Sequence, residues 1–387
     1  MVLGDTLGVL LVALSTSLGW GLRGVWGHWW GATVPGAFCG MALYIAFGDM
    51  SSGWQVLIFG AAMAISVSLG GVLSYGRIVG YVKSQHDRSP AFGVFGLFLV
   101  GGLWGFFGGV GLGLLMTEVV YGFADLALWA VLASAGAFLF YKLLVVGLDL
   151  HLSPPRSDVW AAVLGGSVMS TAYFALWQMD AVVLQTATLG WLGFGGGFAL
   201  GGLIHRRCSE RGLEINSWKL MEHSVGFGGG LGLALSVVLN GGDLPTIEVP
   251  EAGLLVSLFV VLWLVPYMNT SNTFEQWLWN RIGRDLKGDS ARVGPDGKPI
   301  GGIGRRAFAL FQALALLSLL PFFHLAAGLI DRWTGMKRHL WPFLFLISFL
   351  TVLAIGRSGP DTSRRGLLVY AIFVAQALTC VVLALLI

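Results

Sequence analysis

The basic residues of this 387-residue chain are confined to alternate gaps between apolar runs. With those gaps numbered in chain order, 20 of the 23 Lys and Arg fall at odd-numbered gaps or at the span ends bordering them. The other three, Arg332, Lys337 and Arg338, share one even-numbered gap. Lys and Arg resist translocation, so loops rich in them stay in the cytoplasm. This alternation asks for a chain threaded repeatedly through a bilayer, with the N- and C-termini both non-cytoplasmic.

Composition agrees. Hydrophobic residues make up 56% of the chain and charged ones 11%, more apolar surface than a soluble domain of this size can hide. In lipid each span must satisfy its own backbone hydrogen bonds, which leaves helices or a closed barrel. The runs are long and continuously apolar rather than short and alternating, so helices are expected. The expected fold class is all-α, a polytopic transmembrane bundle forming one domain over residues 1–387, in a bacterial-type inner (plasma) membrane. The net charge of +3 hides a split: inner gaps carry 20 basic and 11 acidic residues, outer ones 3 and 9. The inner surplus suits membrane lipids with anionic headgroups, and no basic block is separable enough to serve nucleic acid. The first residues, Met1 to Asp5, lack the positive stretch of a cleaved signal peptide, so the first span is expected to stay. The three cysteines show no pairing or metal spacing.

About twelve spans are expected, at 5–22, 31–48, 54–75, 92–117, 124–147, 159–178, 181–204, 220–240, 253–270, 306–329, 340–356 and 367–387. The largest gap, 271–305, reads as a cytoplasmic loop. In it Phe274, Leu278, Ile282 and Leu286 recur every four residues opposite Arg281, Arg284 and Lys287, the pattern of an amphipathic helix lying at the interface. A Pro-Asp-Gly turn follows at 295–297.

Glycine supplies 58 residues, clustered at 101–113, 190–202 and 226–232. At spacings of three and four it lets helix backbones touch in lipid, giving tightly packed helices. Runs of three also weaken a helix, and broken helices line substrate paths in transporters. Both readings fit the sequence, the second making spans 4, 7 and 8 broken or moving elements. Neutral polar residues deep in spans (Ser66, Ser68, Ser167, Ser170, Thr171, Thr186, Thr188) either line a path or join helices by hydrogen bonds.

Two stretches carry the chemistry. The first, 19–31, packs Arg23, His28 and four tryptophans, Trp20, Trp26, Trp29 and Trp30, among glycines, where an ordinary turn needs no such density of aromatics. Trp favours the headgroup level, which gives an aromatic belt; flat rings beside a planar guanidinium also suit an anion. The second opens the eighth span with Trp218, Lys219, Glu222 and His223, for which Ser217 is the expected N-cap. Lys219 and Glu222 stand three apart on one helical flank, and ionisable residues inside a span seek a partner or water. Arg23 or Arg77 is the expected partner of Glu222. His28 or His223 would titrate near neutral pH.

No nucleophile elbow, zincin, phosphate-loop or Cys-x-x-Cys pattern is present. The expected function is a transporter or facilitator of a small polar or anionic solute, with Arg23, Trp26, His28, Trp29, Trp30, Arg77, Trp218, Lys219, Glu222 and His223 forming a cytoplasm-side vestibule. No cofactor or metal is implied. A membrane-embedded enzyme acting on a lipid-linked substrate and a scaffold subunit of a larger complex, with a homo-oligomer or another membrane protein as partner, are the alternatives.

Overall fold

The computed structural model describes residues 3–26, 32–49, 54–154, 158–213, 215–266, 340–357 and 364–387. They form twelve α-helices: α1 (Leu3–Trp26), α2 (Thr33–Phe47), α3 (Gln55–Ser68), α4 (Gly76–Val82), α5 (Pro90–Met116), α6 (Phe123–Phe140), α7 (Trp160–Ala172), α8 (Ala181–Glu210), α9 (Ser217–Leu239), α10 (Glu251–Leu258), α11 (Trp341–Arg357) and α12 (Arg364–Leu386). Helices α6, α7 and α10 each run on into a π-helical turn, at Tyr141–Gly147, Tyr173–Trp177 and Phe259–Leu264. Among the described residues there is no strand. Among the described residues seven helices are long and apolar enough to cross a membrane, which points to an integral membrane protein; four further apolar helices there are shorter. The expected span at 306–329 and the interfacial helix at 274–287 lie outside the described residues.

Local chemistry sets the helix starts. Ser89 accepts from the backbone N–H of Phe92 ahead of Pro90, an N-cap followed by proline at the first helical position. Asp180 caps α8 through Val183, and Asp125 bonds back to the Gly122 N–H at the head of α6. For α9 the cap is Asn216, which accepts from the Lys219 N–H at 3.1 Å. The expected cap, Ser217, instead places its hydroxyl 2.8 Å from His205 Nδ1.

Six helices close a circuit of neighbours, α1 against α9, α9 against α8, α8 against α5, α5 against α3, α3 against α2, and α2 against α1. Glycine makes this circuit. A methyl group on Gly105 would lie 2.0 Å from the Gly190 carbonyl oxygen, one on Gly197 would lie 2.6 Å from that of Ser224, and one on Gly226 would lie 2.4 Å from that of Thr16. The α5–α8, α8–α9 and α9–α1 contacts are thus backbone against backbone, the close approach that small residues allow in lipid. The α5, α8 and α9 glycine runs lie in continuous helix, which corrects the broken-helix reading: the helical backbone is kept, and the glycines serve to bring neighbours together. The deep hydroxyls behave similarly. Ser66, Ser167, Ser170, Thr171, Thr186 and Thr188 each donate to a carbonyl four residues back in their own helix.

Helices α1 and α5 stand opposite one another in the circuit, and Trp20 and Trp104 meet across it with ring centroids 4.9 Å apart. Phe194 and Phe198 of α8 complete the packing around Trp20. At one end of the bundle the loop after α9 crosses α2 and α3, where Leu244 N–H donates to Phe47 and Gln55 exchanges two hydrogen bonds with Ile247. At the other end, between α6 and α7, His151 is held by Asp158 at 2.6 Å and Asp149 at 2.9 Å. The hydrogen bond to Asp158, then that to Asp149, raises the imidazole pKa. This brace therefore stabilises the loop fully below the ordinary imidazole pKa and weakens as pH rises through the raised value.

Adjacent glycines of α8 should respond oppositely to alanine. A methyl on Gly197 meets the α9 backbone, whereas one on Gly196 meets nothing within 4 Å. Gly196→Ala should raise the thermal midpoint in detergent, worth up to about 1 kcal/mol of helix propensity. Gly197→Ala should lower it, by about 1–3 kcal/mol. Equal shifts in both would show that α8 and α9 do not touch through glycine.

Candidate functional site

The end of the bundle away from Leu244 holds a buried charged cluster built from α1, α9 and the turn after α3. Helix α3 stops at Ser68, tightens into a 3-10 turn over Leu69–Val72, and becomes extended before α4. That strap carries Tyr75 over the last turn of α1. The Tyr75 hydroxyl accepts from Arg23 Nη1 at 3.2 Å. The Arg23 side chain is 1% exposed, and its guanidinium carbon lies 5.0 Å from the Trp20 ring, 4.8 Å from Trp104 and 5.8 Å from Tyr75. Ring faces are worth about 0.5–2 kcal/mol each to such a cation. They offset part of a desolvation cost of several kcal/mol.

Glu222 is 2% exposed and lies against α1 at Gly24, where a methyl group would stand 2.2 Å from its carboxylate. Two groups of its own helix hold it: Trp218 Nε1 donates at 3.0 Å and Lys219 Nζ at 2.5 Å. Lys219 also donates to the Gly21 carbonyl oxygen at 3.0 Å, so the ammonium bridges α9 to α1. His223 rests against Gly21, with Nδ1 3.2 Å from the Ser17 hydroxyl, which itself donates to the His223 carbonyl at 2.9 Å. Trp218 stacks on Tyr75 with 20° between ring planes and meets His205 edge-on. Tyr75 therefore joins the cation of α1 to the carboxylate's helix.

The structure brings together Arg23, Trp218, Lys219, Glu222 and His223. It sets Arg77 apart: its Nε donates to Tyr81 at 3.1 Å and its Nη2 lies 3.8 Å from Asp87. The cause is the strap, which ends the span before residue 75 and puts Tyr75, rather than Arg77, beside α1. Trp26 is the last residue of α1; its side chain, and His28, Trp29 and Trp30, lie outside the described residues. Sequence reasoning counted Trp20 in the 19–31 aromatic stretch without giving it a role, and missed Tyr75, Trp104, Phe198 and His205. The signal available was the aromatic content of spans 1 and 4 alone, which core packing explains equally well.

Among the described residues, no group of three or more His, Cys, Asp or Glu is placed to hold a metal ion. The arrangement offers hydrogen-bond donors and positive charge at one end of a helical circuit, chemistry suited to holding an anion or a polar group. Comparison with family models, with curated proteins and with solved structures found no match.

Because Trp218 and Lys219 fix the Glu222 carboxylate, it cannot give way to a side chain at position 24. Gly24→Ala should lower the thermal midpoint, by about 1–3 kcal/mol. Gly76→Ala, where nothing lies within 4 Å, should leave it within about 0.5 kcal/mol. Matching midpoints in the two variants would show that Glu222 does not lie against α1.

Proposed function

We propose that the chain is a twelve-span plasma-membrane protein with both termini outside the cytoplasm, and that it transports or facilitates passage of a small polar or anionic solute. The observation that carries this reading is the position of Arg23. It is an arginine buried at one mouth of a six-helix circuit, directly beneath the Trp20–Trp104 pair that meets across the circuit. Ionisable residues inside a membrane are costly and mark ion or substrate pathways. The alternation of basic loops supports placing that mouth in the cytoplasm, since Arg206, Arg207 and Arg211 lie at the same end of α8 as His205, whose ring meets Trp218 of α9. In this reading Trp20 and Trp104 stop the axis, Arg23 attracts the solute's negative or polar group, and the Lys219–Glu222 pair exchanges partners with it as the mouth opens. The inner surface, rich in Lys and Arg, faces anionic headgroups.

One observation favours a second reading. The unbroken glycine contacts among α1, α9, α8 and α5 make a stiff unit, which suits a scaffold subunit of a larger membrane complex.

Uptake into reconstituted vesicles separates the two. With a panel of labelled phosphate, sulfate, acetate and lactate, the wild-type protein should carry at least one anion. Arg23→Ala and Glu222→Gln should reduce that uptake about tenfold or more, the equivalent of about 1.4 kcal/mol. Insertion, checked by size exclusion, should be retained. Uptake that survives both substitutions, or no uptake of any of the four, would set the transport reading aside in favour of the scaffold.

A further inference from the structure

We propose that the indole N–H groups of Trp20 and Trp104, together with Arg23, form the binding site for a small soluble oxyanion, a carboxylate or phosphate, reached when the strap from Leu69 to Tyr75 lifts. The inference rests on the transport reading and names the groups that would contact the solute. Both indole side chains are fully buried, and neither Nε1 has a hydrogen-bond partner. Buried donors are nearly always paired, so two orphans in adjoining rings call for an explanation. They belong to the two rings lying closest to the Arg23 guanidinium, at 5.0 and 4.8 Å. An oxyanion beside Arg23 supplies acceptors for both, through charge-assisted hydrogen bonds stronger than neutral ones.

The strap supplies the route. Gly70 lies against the five-membered ring of Trp104, where an added methyl would stand 1.5 Å from Cδ1. Leu69 and Val72 on the same turn are exposed, whereas Gly70, Gly71 and Tyr75 are buried. The strap is thus a short segment seated on Trp104 by Gly70, with Leu73 buried beneath it, and held at Tyr75 by the hydroxyl bond to Arg23 and the ring contacts with Trp218 and Phe198. Lifting it uncovers the guanidinium and the indole edges together while the long helices keep their glycine contacts.

Phenylalanine keeps one aromatic ring and removes the donor together with the five-membered ring, so Trp160→Phe serves as the control for the lost volume. Purified protein in nanodiscs of neutral phosphatidylcholine is titrated with sodium phosphate and, separately, sodium acetate, against sodium chloride at matched ionic strength, and the thermal midpoint is read. The wild-type midpoint should rise with phosphate or acetate and saturate. Trp20→Phe and Trp104→Phe each leave a cavity and should lower the anion-free midpoint, and should also weaken the apparent anion affinity about tenfold. Trp160→Phe removes a third orphaned indole donor that lies outside the ring set around Arg23, and should titrate as wild type. Wild-type titration by both Trp20→Phe and Trp104→Phe would overturn the assignment, as would a response only when phosphatidylglycerol replaces the neutral lipid, which would make a headgroup the ligand. If uptake depends on Arg23 while both variants titrate normally, the donor assignment alone fails; if uptake is absent, the transport reading fails by itself.

Discussion

Backbone-to-backbone contact through glycine is the constraint on which this structure depends. Between helices already in lipid, apolar burial gives little net gain, and association relies on close van der Waals packing and hydrogen bonds. Removing Cβ at Gly105, Gly197 and Gly226 lets α5, α8, α9 and α1 meet along their lengths. That close approach closes the six-helix circuit, and a closed circuit can bury the large side chains Trp20 and Trp104 at its centre. The buried rings in turn give Arg23 faces to lie on. The charged cluster at the α1–α9 end is therefore a consequence of the glycine packing as well as of its own polar contacts.

The glycines of α1 serve a second purpose. Gly21 and Gly24 receive His223 and Glu222, so two polar residues of α9 are brought against the backbone of α1 rather than against its side chains. Lys219 closes the arrangement by bonding both Glu222 and the Gly21 carbonyl. Tyr75 then reaches across from the strap to Arg23 and stacks on Trp218. Three separate parts of the chain meet here, and each contributes a group whose polarity would be costly alone.

Much of the helical layout was legible from apolar run length: 92–117 was expected where α5 spans Pro90–Met116, and 159–178 where α7 and its π-helical turn span Trp160–Trp177. A break was not legible where it occurs. Span 3 was expected to continue to residue 75, but its helix ends at Ser68, and the strap turns Tyr75 inward and sends Arg77 to Asp87. The glycine runs were ambiguous because the same residues permit either a broken helix or a close contact; only the neighbour's position decides. Lys219, Glu222 and Arg23 were found because charge within an apolar run stands out. Trp104 was not, and Trp20 stood out only as one of a run of tryptophans, because an aromatic residue in a span looks alike whether it faces lipid, fills a core or flanks a cation.

In the proposed transporter the glycine-closed circuit walls off position 23 from one side of the membrane and leaves it a single approach, from the side of Arg211. The three native cysteines are buried, so a background with them replaced by serine and a single Arg23→Cys substitution reports that position alone. The measurement is the rate of its modification by a membrane-impermeant charged thiol reagent applied to each face of oriented vesicles, with Arg211→Cys as the exposed reference. Reaction is expected from the Arg211 face only, and more slowly than at position 211 itself. Modification from the opposite face, or a rate equal to that of the exposed reference, would contradict it.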